Sequence, residues 1–97
     1  MRYSLIRDKK IFELGDHEIE VCDTPEEINN FSIKEIMNLL NELKEEDYDN
    51  IEIFVDIFSI LKNLTDINSI NSTELENRYL EKMDKEGPFS RYLLKIN

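Results

Sequence analysis

Asn50-Ile-Glu-Ile-Phe-Val-Asp-Ile-Phe-Ser-Ile-Leu-Lys-Asn-Leu64 is the longest apolar stretch of the chain, and two periods compete in it. With period two, Ile51, Ile53, Val55 and Ile57 form a β-branched face. Phe54, Phe58 and Ile60 then occupy positions that alternation would make polar. With period 3.6, Glu52, Asp56, Ser59 and Asn63 fall at i, i+4, i+7 and i+11, on one narrow stripe. Off that stripe only Lys62 is polar between Ile51 and Leu64. The pattern predicts a helix, buried on most of its circumference, that shows solvent a thin acidic stripe.

Upstream, Thr24-Pro25-Glu26-Glu27 has the form of a helix start, with Thr as N-cap and Pro at the first helical position. Asn29-Asn30 is expected to interrupt that turn, and Ser32-Ile-Lys-Glu35 to act as a second capping box. A helix then runs to about Glu46 with Ile33, Ile36, Met37, Leu40 and Leu43 on one face. Its last turn carries Glu45, Glu46 and Asp47, followed by Asp49. Carboxylates at the negative end of a helix dipole are unfavourable by roughly 0.3–1 kcal/mol each. This local rule is broken on a surface where a partner would explain it. Downstream, Thr65 to Asn71 is linker-like but for Ile67 and Ile70. A third helix is expected from about Thr73 to Glu86, with Leu75, Tyr79, Leu80 and Met83 on its apolar face. Gly87-Pro88 ends it.

The two ends are read as strands. Tyr3, Leu5, Ile11 and Phe12 flank an expected turn at Asp8-Lys9, and Phe12-Glu13-Leu14 and Glu18-Ile19-Glu20-Val21 flank Gly15-Asp16. Glycine at that position suits a two-residue hairpin turn. Ser90-Arg-Tyr-Leu-Leu-Lys-Ile96 is expected to return to the same sheet. The resulting expectation is α+β: an N-terminal antiparallel β-meander, three helices and a C-terminal strand, in a single compact domain over residues 1–97.

Composition narrows the function classes. The 97 residues are 40% hydrophobic and 35% charged, enough for a folded core. Cys22 is the only cysteine, so no intrachain disulfide can form. The first residues lack the apolar run of a signal peptide and no run is long enough for a membrane span, which makes the cytoplasm the expected compartment. A net charge of −10 speaks against direct nucleic-acid binding and against anionic membrane surfaces. The charge is unevenly placed. Residues 1–12 sum to +3, whereas residues 13–56 hold fifteen of the twenty-two acids and, of the basic residues, only Lys34 and Lys44.

No catalytic, metal or cofactor signature stands out. His17 and Cys22 are the only nucleophile-or-base pair, and their odd separation sends them to opposite faces of a regular strand. Asp47-x-Asp49 followed by Glu52 has neither the glycine nor the remaining ligands of a calcium loop. Gly15 and Gly87 are the only glycines, too few for a phosphate loop.

What remains is an acidic surface: Glu18 and Glu20 on the meander, then Glu42, Glu45, Glu46, Asp47, Asp49, Glu52 and Asp56, with Tyr48 as an aromatic anchor. Fixed negative charge of this kind can occupy a groove built for nucleic acid. The expected function is therefore a small non-enzymatic inhibitor of a basic, nucleic-acid-handling protein such as a nuclease, of the phage anti-defence (anti-CRISPR) type. The alternative is an immunity protein or antitoxin that neutralises a cognate nuclease or other toxin. Asn50-Ile-Glu-Ile-Phe-Val-Asp56 resembles a helix of the barstar family of acidic ribonuclease inhibitors, without that helix's tryptophan. The resemblance implies a shared mode of inhibition. A third expectation is a homodimeric interaction domain held together by an apolar patch.

Overall fold

A computed structural model describes residues 3–14 and 19–96. The fold is all-α. A short 3-10 helix at Asp8–Glu13 precedes α1 (Pro25–Glu45), α2 (Ile51–Ile67) and α3 (Ser72–Lys85).

The competition of periods in the Asn50–Leu64 stretch is decided for the helix. Asn50 is the N-cap, its side-chain oxygen accepting from the Glu52 N–H at 3.0 Å. Thr24 caps α1 in the same way, accepting from the Glu27 N–H at 3.2 Å, with Pro25 at N1 as expected. The interruption at Asn29-Asn30 does not occur, and α1 is continuous. Asn29 spends its side chain on Asn68, at the far end of α2, donating to its amide oxygen at 3.2 Å and accepting from its amide nitrogen at 2.8 Å. It therefore does not compete with its own helical backbone. Ser32 is not a cap either. It lies inside α1, 1% exposed, with a hydroxyl that has no hydrogen-bond partner. An unsatisfied buried hydroxyl costs about 1–3 kcal/mol. Ser32→Ala is accordingly expected to raise unfolding free energy by about 1 kcal/mol or more in urea titrations, and a loss would assign the hydroxyl a partner.

α1 and α2 form an antiparallel hairpin. Each ends in a Schellman motif built without glycine. At the end of α1 the Tyr48 N–H reaches the Leu43 carbonyl and the Asp47 N–H the Lys44 carbonyl, with Asp47 and Tyr48 at φ 55° and 62°. At the end of α2 the Ile70 N–H reaches the Thr65 carbonyl and the Ser69 N–H that of Asp66, with Ser69 at φ 59°. α3 starts at once from Asn71, which caps Glu74, two residues before the expected Thr73. Gly87 at φ 78° closes it, as expected.

The expected burial of α2 is not found. Ile53 and Leu43 are the two buried apolar side chains among the described residues, each 4% exposed. Ile57, Ile60 and Leu64 are half-buried against α1, and the opposite apolar flank of α2 faces solvent. The sequence shows which positions of α2 are apolar. It does not show how many neighbours are available to cover them, and only α1 packs substantially on α2.

The expected α+β class is likewise corrected, since no strand is present among the described residues. Phe12-Glu13-Leu14 belongs to the 3-10 turn and its cap, where Lys10 pairs with Glu13 at 3.0 Å. The Gly15-Asp16 turn, His17 and Glu18 lie outside the described residues. Residues 3–7 form no regular element and bond to helices through side chains rather than to a neighbouring strand. Ser4 donates to Glu35 on α1 at 2.7 Å, and Arg7 reaches Asp56 and Ser59 on α2 at 2.6 and 3.0 Å. Consecutive Tyr3 and Ser4 both reach α1, so the period-two pattern read as a strand is not the contact pattern of this segment. The C-terminal segment, with no sheet to join, follows α3 without regular structure and with Phe89, Tyr92, Leu93, Leu94 and Ile96 exposed.

Candidate acidic interface at the hairpin turn

Charge clusters where α1 hands over to α2. Glu42 and Glu45 lie in the last turn of α1, Glu46 caps it, Asp47, Tyr48 and Asp49 form the turn, and Glu52 opens α2. All seven are exposed. No Lys, Arg or His lies in ion-pairing range of these six carboxylates among the described residues; Glu46 accepts a 3.3 Å bond from the Asn50 side chain. The cluster is held by the Schellman motif, which places two consecutive non-glycine residues in the left-handed region. The short Asp side chain tolerates this well, whereas Tyr48 is bulky there. Tyr48 is 62% exposed, with carboxylates on both sides of it in the sequence.

Of the other residues expected at this surface, Asp56 is nearby but engaged. Its carboxylate takes both Arg7 Nε and Nη2, at 3.2 and 2.6 Å, so the basic N-terminal stretch partly neutralises the acidic stripe of α2. Both side chains of this pair are about half exposed, which limits its value to roughly 1 kcal/mol or less. Glu20 lies elsewhere. It accepts from the Tyr3 hydroxyl at 3.1 Å, and Tyr3 stacks edge-on against Phe31 near the start of α1. Fifteen residues of helix separate Phe31 from Glu46, about 22 Å at 1.5 Å each. Glu18 is outside the described residues. The structure thus brings together the run from Glu42 to Glu52 and leaves Glu20 at the other end of the hairpin.

Arg7 was not among the residues expected to matter here. The +3 charge of residues 1–12 was the available signal, but which carboxylate it meets depends on the path of the chain across the helices.

A small concavity lies at that other end, lined by Tyr3, Leu5, Glu20, Val21, Cys22, Glu27 and Phe31. Its volume is about 80 Å³, well short of the roughly 300–1,000 Å³ of small-molecule sites. Cys22 is half-buried in its wall. Among the described residues, no three His, Cys, Asp or Glu side chains converge in a way that would hold a metal ion, and no helix is long and apolar enough to cross a membrane. No protein-family model, curated protein or solved structure matches the chain.

Proposed function

We propose that this chain is a non-enzymatic binding protein whose acidic hairpin turn docks into the basic groove of a nucleic-acid-handling protein and excludes nucleic acid from it. One observation carries the reading: six exposed carboxylates, with no Lys, Arg or His in ion-pairing range among the described residues, flank an exposed tyrosine along a turn held by backbone hydrogen bonds. Fixed negative charge costs less to bind than charge on a mobile loop, because little is ordered on docking. Tyr48 adds a rigid amphipathic anchor of the kind that dominates interface energies. The groove of a defence nuclease and that of a cognate toxin nuclease have the same Lys/Arg chemistry, so either is a partner of this class.

The test is competition. A Lys/Arg-lined nuclease is loaded with a fluorescent DNA or RNA duplex and titrated with the protein. Displacement is expected at about 50 mM salt and should weaken at least tenfold by about 500 mM, where exposed charges are screened beyond about 4 Å. Neutralising the turn with Glu45→Gln, Glu46→Gln, Asp47→Asn and Asp49→Asn together should weaken it at least as much. Displacement that ignores both salt and these substitutions would exclude the turn as the contact.

A further inference from the structure

The chain exposes 9273 Å², whereas a folded monomer of 11.6 kDa is expected to expose about 5,800 Å². The radius of gyration is 16.7 Å, against about 12.5 Å for a compact chain of this length. Much surface is therefore uncovered, large apolar side chains among it, and helical geometry shows where these lie.

On α1, Ser32, Ile36, Leu39 and Leu43 face α2, and Ile33, Met37 and Leu40 sit about a third of a turn further round. On α2, Ile53, Ile57, Ile60 and Leu64 face α1, and Phe54, Phe58 and Leu61 are displaced in the same rotational sense. In antiparallel helices an equal sense of rotation brings both stripes out on the same side of the hairpin. The opposite rotation leads to Phe31 and Glu35 on α1 and to Asp56 and Ser59 on α2. These are the residues that Tyr3, Ser4 and Arg7 cover. One side of the hairpin is strapped by the N-terminal segment. The other is an open apolar face, with Phe58 69% exposed at its centre.

α3 is the complementary object. Its stripe of Leu75, Tyr79, Leu80 and Met83 is also exposed, and its 14 residues span about 21 Å, close to the length of α2. We propose that the open face is filled by α3 and the following tail of a second copy of this chain, in a reciprocal arm-exchanged homodimer.

Three observations choose this occupant. The uncovered excess, about 3,400 Å² per chain from the two areas above, is more than each partner contributes to an obligate dimer interface of about 2,000–5,000 Å² counted over both chains, so it leaves room for one. Charge selects the arm over a second hairpin. Residues 24–71 hold eleven acids and three lysines, a net −8, while residues 72–97 hold five of each sign. Face-to-face hairpins would oppose two strongly negative bodies; a neutral arm does not. The connection decides between the chain's own arm and its partner's. Ser69 and Ile70 are fixed by the Schellman bonds, Asn68 by Asn29 and the Leu64 carbonyl, and Asn71 by capping Glu74. With this connection in place α3 makes no substantial contact with its own hairpin, and exchange leaves that arrangement unchanged. The dimer does not depend on the acidic turn, which lies outside the open face, so either proposal can fail alone.

Light scattering after gel filtration should give twice 11.6 kDa, and the melting temperature should rise when the protein is concentrated about a hundredfold. A mass of one chain, or a melting temperature that ignores concentration, overturns the dimer. The arm is tested in a Cys22→Ser background by mixing Phe58→Cys protein with Leu75→Cys, Tyr79→Cys or Met83→Cys protein under mild oxidation. A disulfide between the two variants in at least one mixture supports exchange. Absence from all three, or a Phe58→Cys protein that cross-links mainly to itself, overturns it in favour of a closed arm or paired hairpins.

Discussion

Leu43→Ala is expected to lose about 2–5 kcal/mol of stability, the range for a buried leucine whose surroundings relax only partly. Leu43 and Ile53 are the two buried apolar side chains among the described residues, one from each helix of the hairpin. The Leu43 carbonyl also receives the Tyr48 N–H that closes the turn. A chain of this size has about 5–15 kcal/mol in all, and so small a core places it toward the lower end. The variant should therefore lose much of its helical circular dichroism signal at low urea, measured at the same protein concentration as the parent. Asn38→Ala, an exposed change in the same helix, should stay within about 0.5 kcal/mol. A Leu43→Ala loss below about 1 kcal/mol would mean that the α1–α2 seam is not the core.

Tyr48→Gly is expected to separate stability from binding. A non-glycine residue in the left-handed region costs roughly 1–2 kcal/mol, and glycine removes that cost while losing about 0.5–1 kcal/mol to greater freedom in the unfolded chain. The net expectation is a gain of up to about 1 kcal/mol in thermal or urea unfolding. In the nuclease competition the same variant should weaken displacement about 30-fold or more, the signature of a lost aromatic anchor. Tyr48→Phe, which keeps the ring, should lose far less. Strain at an exposed residue with no structural need for its ring fits a functional site. A Tyr48→Gly protein that is both more stable and equally good at displacement would remove Tyr48 from the interface.

The helices were legible because their signals are local. The polar stripe Glu52–Asp56–Ser59–Asn63, the Thr24-Pro25 start and the Gly87-Pro88 stop each depend on residues within a turn or two of one another. The false strands at both ends came from a signal that is not local. Alternation over four or five residues is a short pattern, and whether such a segment joins a ladder or lies on a helix surface depends on distant residues. For Ser4 and Arg7 it is Glu35 and Asp56, thirty-one and forty-nine positions away. Ser32 misled for a related reason: a serine three before a glutamate fits a cap, but here the turn before it was already helical.

The candidate site divides the same way. The density of carboxylates from Glu42 to Glu52 is a property of neighbouring residues, and a single tight turn keeps neighbours together. Whether Glu20 and Asp56 join them depends on how the N-terminal segment crosses the hairpin, and that crossing sends Glu20 to the far end and engages Asp56 with Arg7. Sequence by itself determined three helices, their polar stripes and an acidic turn, because hydrogen-bond period, capping and charge density act over a few residues. Only the tertiary structure decided that, among the described residues, α1 is the one helix packed substantially on α2. It alone showed one side of the hairpin strapped and the other open. Burial is settled by which distant surfaces meet, and the apolar pattern of a helix is the same whether its partner lies in its own chain or in another.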